Sequence, residues 1–232
     1  MGRAERRSWR DIPIHVARLF RGCNMTDSRS MVFIVDDEPS VCMALKRLIR
    51  SVGLEAQTFN SAKEFLRTKR PDVPSCLILD VRLPDLSGPD LQRKLAEAKI
   101  NIPIVFLTGH GDIPMSVRAI KAGAVEFLTK PFKDQDLLDA IQHGIEQDRL
   151  ARLRHREIFE MKRQYESLTP REREVFPLVT DGFLNKQIAD QLGASEKTIK
   201  VHRHQVMQKM KAESLAHLVR IAQKLGVSSP KH

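Results

Sequence analysis

The sequence predicts two folds in series: an α/β domain on a doubly wound parallel sheet, then a small all-α domain. Three observations carry this. Between Met31 and about Gln147, short continuous apolar runs alternate with segments of helical spacing, as expected of strands covered on both faces. From residue 168 onward the alternation stops, and helix-start and helix-stop residues recur with no strand-like run between them. The charge is also uneven: residues 1–30 carry +4, residues 31–150 carry −1 and residues 151–232 carry +7.

The five strands are read from MVFIV, LEAQTF, CLILD, IPIVFLT and AVEFLT. After the first, Val41, Leu45, Leu48, Ile49 and Val52 share one helical face, which Gly53 ends. SAKEFLRT, PDLQRKLAEA and IPMSVRAIKAG are the next helices, the last closing on Gly123. KDQDLLDAIQHGIEQ is the fifth. Sites in such sheets form outside the carboxyl ends of the strands. Asp36 and Asp37 end the first strand, Asp80 ends the third, Thr108 ends the fourth, and Lys130 follows the fifth. Singly, the acids of VDDEPS are good helix-start residues ahead of a proline. Four strand ends that agree are not explained by capping.

These stretches carry a resemblance. VDDEPS, LILDVRLPDLSG, FLTGHGD and EFLTKPF resemble the receiver domain of two-component response regulators, across residues 31–147. The resemblance implies a flavodoxin-like fold and phosphoryl transfer from a sensor histidine kinase onto Asp80. It also implies Mg²⁺ held by Asp37 and Asp80, with Asp36 acting through a coordinated water and the backbone carbonyl of Arg82 completing the set. Thr108 and Lys130 would grip phosphoryl oxygens, and Phe127 holds the position of the family's aromatic switch. The chemistry is coherent. A carboxylate can attack phosphorus, and clustered acids repel an incoming phosphate unless a divalent cation sits among them. Gly109 leaves room for water or a phosphodonor, while Arg82 and His110 are either solvated loop residues or obstacles to an attacking water. The face near Met115–Ala122 and Lys133–Gln142 is the implied dimer surface.

Residues 148–167 hold no Gly or Pro and are dense in charge, a helical or partly ordered connector. In LTPREREVF, Thr169 and Glu172 form a capping box with Pro170 at the first helical position. A second helix runs from about Asn185 to Leu192 and stops at Gly193, and Ser195 caps a third, EKTIKVHRHQVMQKM. Residues 168–232 closely resemble the C-terminal domain of the LuxR/NarL/FixJ family, FixJ-type members above all. That implies a four-helix helix-turn-helix domain whose third helix enters the DNA major groove. On this pattern Lys200, Val201 and His204 face base edges, and Lys186, Lys197, Thr198 and Arg203 contact phosphates. Leu184 departs from the pattern, standing where the family has a small polar cap. In the last helix Leu215, Leu218, Val219 and Ala222 share a face.

Composition bounds the rest. The chain of 232 residues has room for two ordinary domains. A near-neutral block joined to a basic block fits a regulatory domain coupled to a nucleic-acid binder. Cys23, Cys42 and Cys76 show no paired spacing, which predicts a reducing compartment, the cytoplasm, and no structural zinc. No apolar run approaches the ~18 residues of a membrane span. Residues 1–30 lack the apolar core of a secretion signal and are expected to be a disordered extension. The expected function is a phosphorylation-promoted dimer that binds promoter DNA, regulates and most often activates transcription, and meets RNA polymerase there. Such a chain has two routes to activation, pairing of two copies or release of a covered recognition helix, and the sequence is compatible with both. A multiple-turnover phosphohydrolase would want an acid two residues after Asp80, where Arg82 stands. A constitutive DNA binder would not need the Asp37, Asp80, Thr108 and Lys130 set.

Overall fold

The computed structural model describes residues 29–109, 117 and 119–227. The chain divides into two compact units, with the boundary along the sequence between Ala151 and Arg152.

The first unit is a parallel sheet of β1 (Met31–Val35), β2 (Glu55–Phe59), β3 (Ser75–Asp80), β4 (Ile104–Thr108) and β5 (Glu126–Thr129), in the order β2-β1-β3-β4-β5. Helices α1 (Pro39–Ser51), α2 (Ala62–Arg67) and α3 (Gly88–Glu97) connect the early strands. Strand alternation sends successive residues to opposite faces. Phe33, Val35, Leu77, Leu79 and Phe106 therefore join Phe65 of α2 and Leu91 and Leu95 of α3 in one core layer. Val32, Ile34, Ile78, Val105 and Leu107 join Cys42, Leu45 and Ile49 of α1 in the other, with Leu137 and Ile141 of the helix after β5. Each fully buried Leu, Ile or Phe contributes roughly 1.5–3 kcal/mol. Phe33, Phe59 and Phe65 add an aromatic triad with centroids 5.3–6.2 Å apart.

Two elements differ from the sequence reading. The fifth strand starts at Glu126, not Ala124, because Ala124 still donates its N–H to Ala119 O and closes the preceding helix around Gly123, at φ +93°. Residues 113–116 and 118, which the sequence reading gave to the fourth helix, His110, and Cys23 with residues 1–28 lie outside the described residues. The helix expected to end at Gln147 instead runs on as α4 (Asp134–Glu166). Gly144 does not stop it. An added Cβ there would stand 2.7 Å from Cys76 Sγ, so the glycine serves close approach to the sheet. A turn later, buried Asp148 accepts from the Ser75 N–H at 2.8 Å.

The second unit packs the end of α4 with α5 (Pro170–Thr180), α6 (Asn185–Leu192), α7 (Glu196–Lys209) and α8 (Leu215–Leu225). Thr169 and Glu172 make the capping box at α5. Ser195 and Ser214 cap α7 and α8 through their hydroxyls. Gly193, in the left-handed region at φ +62°, ends α6. The core is Leu168, Val175, Phe176, Ile188, Ile199, Val206, Met210, Leu218, Ile221 and Ala222. Within the last helix Leu218 and Ala222 are buried, whereas Leu215 is exposed. Glu172 is itself buried and also accepts from Lys209 Nζ at 2.6 Å, which ties the start of α5 to the end of α7.

Candidate functional site

Parallel register brings the strand ends level. Val35 pairs with Phe59 and Leu79, Asp80 with Leu107, and Thr108 with Thr129. Asp36, Asp37 and Asp80 each offer a carboxylate oxygen, and these oxygens lie within 4.8 Å of one another. Asp36 is buried, with Oδ1 accepting from the Glu38 N–H at 2.9 Å and Oδ2 from Lys130 Nζ at 2.8 Å. Asp37 is exposed. Lys130 Nζ stands 3.7 Å from Asp80 Oδ2, and the Lys130 N–H donates to Thr108 O at 2.7 Å, which fastens the end of β5 to β4. Thr108 is buried.

The electrostatics follow from this cluster. Burial pushes the Asp80 carboxyl above its ordinary range, Lys130 opposes that, and Asp36 adds to it. Burial acts first on Lys130, to lower its pKa, but the hydrogen bond and charge of Asp36 and the charge of Asp80 outweigh it, so the ammonium is held more firmly than usual. An all-oxygen set of three acids suits a hard divalent ion such as Mg²⁺, and repulsion among them favours one.

The loop from β3 to α3 carries two contributors that the sequence reading did not single out. Gly88 donates its N–H to Val81 O at 3.0 Å and lies against the sheet so closely that a Cβ would meet Asp80 O at 2.7 Å. Asp85 accepts from the N–H of Lys63 at 3.0 Å and of Ala62 at 3.4 Å, which pins the loop to the start of α2. Exposed Arg82 lies on the loop so held. The Ser-Gly-Pro run at the start of α3 signals the glycine. Nothing local signals Asp85. Phe127 is half-buried with its ring centroid 6.1 Å from that of Phe106, and Gly109 is exposed, with no atom of the described residues within 4 Å of its Cβ position.

In the second unit, Lys197, Thr198, Lys200, Val201 and His204 are exposed on α7, opposite buried Ile199 and Val206, and Lys186 is exposed on α6. Arg203 is different. Its Nη1 donates to Asn185 Oδ1 at 3.1 Å and to Phe183 O at 3.4 Å. Leu184 cannot cap α6; its own N–H instead donates to Gln187 Oε1 at 2.8 Å.

Comparison with known proteins matches both units. The response regulator receiver domain profile covers residues 32–142, and that of bacterial regulatory proteins of the luxR family covers residues 166–222. Nodulation protein W of Bradyrhizobium diazoefficiens is 51% identical over 208 residues, 90% of this chain and 92% of that protein. The transcriptional regulatory protein FixJ of Rhizobium meliloti is 44% identical over 192 residues, 82% of this chain and 94% of its own length. The low-resolution structure of response regulator StyR superimposes with a TM-score of 0.77 at 48% identity, covering 85% of this chain and all of that one. The receiver sheet, the helical DNA-binding unit and these likenesses together place the chain among the two-component response regulators of the LuxR/NarL/FixJ family.

Proposed function

We propose that Asp80 is the phosphoacceptor of this response regulator and that its modification controls how the C-terminal unit holds promoter DNA. The observation that carries the proposal is the convergence of Asp36, Asp37, Asp80 and Lys130 on one sheet edge.

A sensor histidine kinase is the donor. An Asp80 oxygen attacks phosphorus, the bond from phosphorus to the imidazole nitrogen breaks, and an acyl phosphate forms. Asp36, Asp37 and Asp80, with the Arg82 carbonyl, are the residues that would hold Mg²⁺, which supplies positive charge among the acids when bound. Lys130, already 3.7 Å from Asp80, neutralises a phosphoryl oxygen, and Thr108 donates its hydroxyl to another. The new group adds roughly −1.5 to −2 charges. Thr108 moves toward it, and Phe127 takes the space behind. The chain turns over only its own phosphoryl group and is not a multiple-turnover enzyme.

Pairing of two phosphorylated copies follows, through the face that includes exposed Val117 and Ile120 and the start of α4. Holding two helix-turn-helix units together makes the second DNA contact intramolecular, worth roughly 10²–10⁴ in avidity. Lys200, Val201 and His204 read base edges, and Lys186, Lys197 and Thr198 meet phosphates; exposure of all six supports this reading. The outcome is regulation, and by likeness to FixJ activation, of transcription in the cytoplasm, with RNA polymerase as the final partner. Among the described residues no helix is long and apolar enough to cross a membrane.

Mass spectrometry after treatment with acetyl phosphate and Mg²⁺ tests the first step. Wild type gains one phosphoryl group on the peptide containing Asp80, and Asp80→Asn gains none. Undiminished labelling of the variant places the acceptor elsewhere.

A further inference from the structure

We infer that Arg203 is a positioning residue that sets the angle between α6 and α7, not one of the phosphate contacts. This rests on the reading of α7 as the DNA-reading helix. At eight residues α6 is too short to be stable alone, so its placement depends on packing and on what grips its ends. Ile188 and Ala189 bury its middle. Its carboxyl end is held from α5, where Arg171 Nη2 donates to Leu192 O. Its amino end has no side-chain cap, because Leu184 stands at that position with its side chain 68% exposed to solvent. Arg203 holds this end in another way, as a donor that ties it to α7 and not as the acceptor a cap would be. Reaching across from α7, it donates to Phe183 O in the turn and to Asn185 Oδ1 in the first residue of the helix. Both bonds leave the one nitrogen Nη1, and a guanidinium suits this task because it is always charged and its plane fixes the direction of the two N–H bonds on that nitrogen. A lysine ammonium carries three N–H donors on one nitrogen, but they rotate and hold no fixed direction, so it grips the same acceptors less firmly.

The neighbours of Arg203 on α7 give the brace its consequence. Lys200, Val201 and His204 lie within three residues of it and are exposed. If α7 rotates on α6, those side chains lose register with base edges, while the number of phosphates neutralised stays the same. Loss of Arg203 therefore lowers discrimination between sequences. It does not lower the count of released counterions.

The two roles separate by salt dependence. The probes are the duplex that the full wild-type chain recovers from a random DNA pool and a scrambled duplex of equal length. Arg203→Ala is expected to lower the ratio of affinities for the two probes about tenfold and leave the slope of log K against log salt unchanged. A lost phosphate contact would lower that slope by about 0.9. Asn185→Ala removes an acceptor with no change of charge and should lower the ratio similarly, the double variant being no worse than either single one. Arg203→Lys should fall between Arg203→Ala and wild type. A slope reduced by about 0.9 with an unchanged ratio overturns the assignment, and so does an Asn185→Ala chain that discriminates like wild type. If Arg203→Ala fails to fold by circular dichroism, Asn185→Ala and Arg203→Lys decide alone. Lys200→Ala tests the underlying reading separately: undiminished affinity for the selected duplex would mean that α7 is not the reading helix, whatever Arg203 does.

Discussion

Gly88→Ala probes how closely the strand that carries Asp80 is held by the turn into α3. The added Cβ would stand 2.7 Å from Asp80 O, 3.0 Å from Phe106 Cε1 and 3.1 Å from Val81 Cα. Two of these atoms are backbone and the third belongs to a fully buried ring, so none can swing away. Ordinary contact begins at 3.4 Å, and the loop or the strand end must therefore yield by about 0.7 Å. Overpacking of this kind costs about 1–3 kcal/mol of stability. A misplacement near 1 Å can cost about 10²-fold in rate at a reacting group. The initial rate of Asp80 labelling by acetyl phosphate with Mg²⁺ should thus fall about 10–100-fold, in a chain whose circular dichroism spectrum stays native. Gly109→Ala is the stability control, because no atom of the described residues lies within 4 Å of its added Cβ, and its unfolding midpoint should match wild type. Labelling of Gly88→Ala within about twofold of wild type would refute the reasoning, since a 0.7 Å displacement of Asp80 should not be silent.

Two further outcomes test the packing on which both units rest. Gly144→Ala should destabilise the receiver by about 1–2 kcal/mol in urea unfolding, because the contact with Cys76 Sγ at 2.7 Å exceeds the gain in helix propensity of about 1 kcal/mol. In a Cys76→Ala background that sulfur is gone and the sign should reverse; destabilisation in both backgrounds would mean that the clash is not with Cys76. Glu172 has a folded pKa below its ordinary 4.5: burial raises it, but Lys209 and the Thr169 N–H outweigh burial. Its contribution is thus complete above pH 4.5 and disappears as pH falls through the lower folded value. The stability difference between wild type and Glu172→Gln should be constant from about pH 5 to 8 and shrink below pH 4.5, and a difference that grows on acidification would contradict this.

Local signals made much of the architecture legible. An apolar run of fixed length places its last residue, so Asp80, Thr108 and Lys130 could be assigned to one edge before any strand was paired. Caps act over three or four residues, and Thr169, Ser195 and Gly193 marked helix ends correctly for that reason. The run from Gln147 to Glu166 was less legible. Its lack of Gly and Pro permitted a helix, but only the fold shows that it continues the fifth helix without a break, and that Gly144 is there for close approach to Cys76 of β3.

The sequence by itself determined the two fold classes, the edge at which acids and lysine gather, and the helix that carries exposed basic residues. Periodicity, strand length and capping are encoded within a few neighbouring positions, and they suffice for those conclusions. The tertiary structure alone decided which partners those side chains take. Lys130 pairs with Asp36 from 94 residues away, Asp85 pins its loop to α2, and Arg203 turns to Asn185 and Phe183. Such pairings depend on distances set by the packing of whole elements, and a long charged side chain chooses among acceptors only once those distances exist.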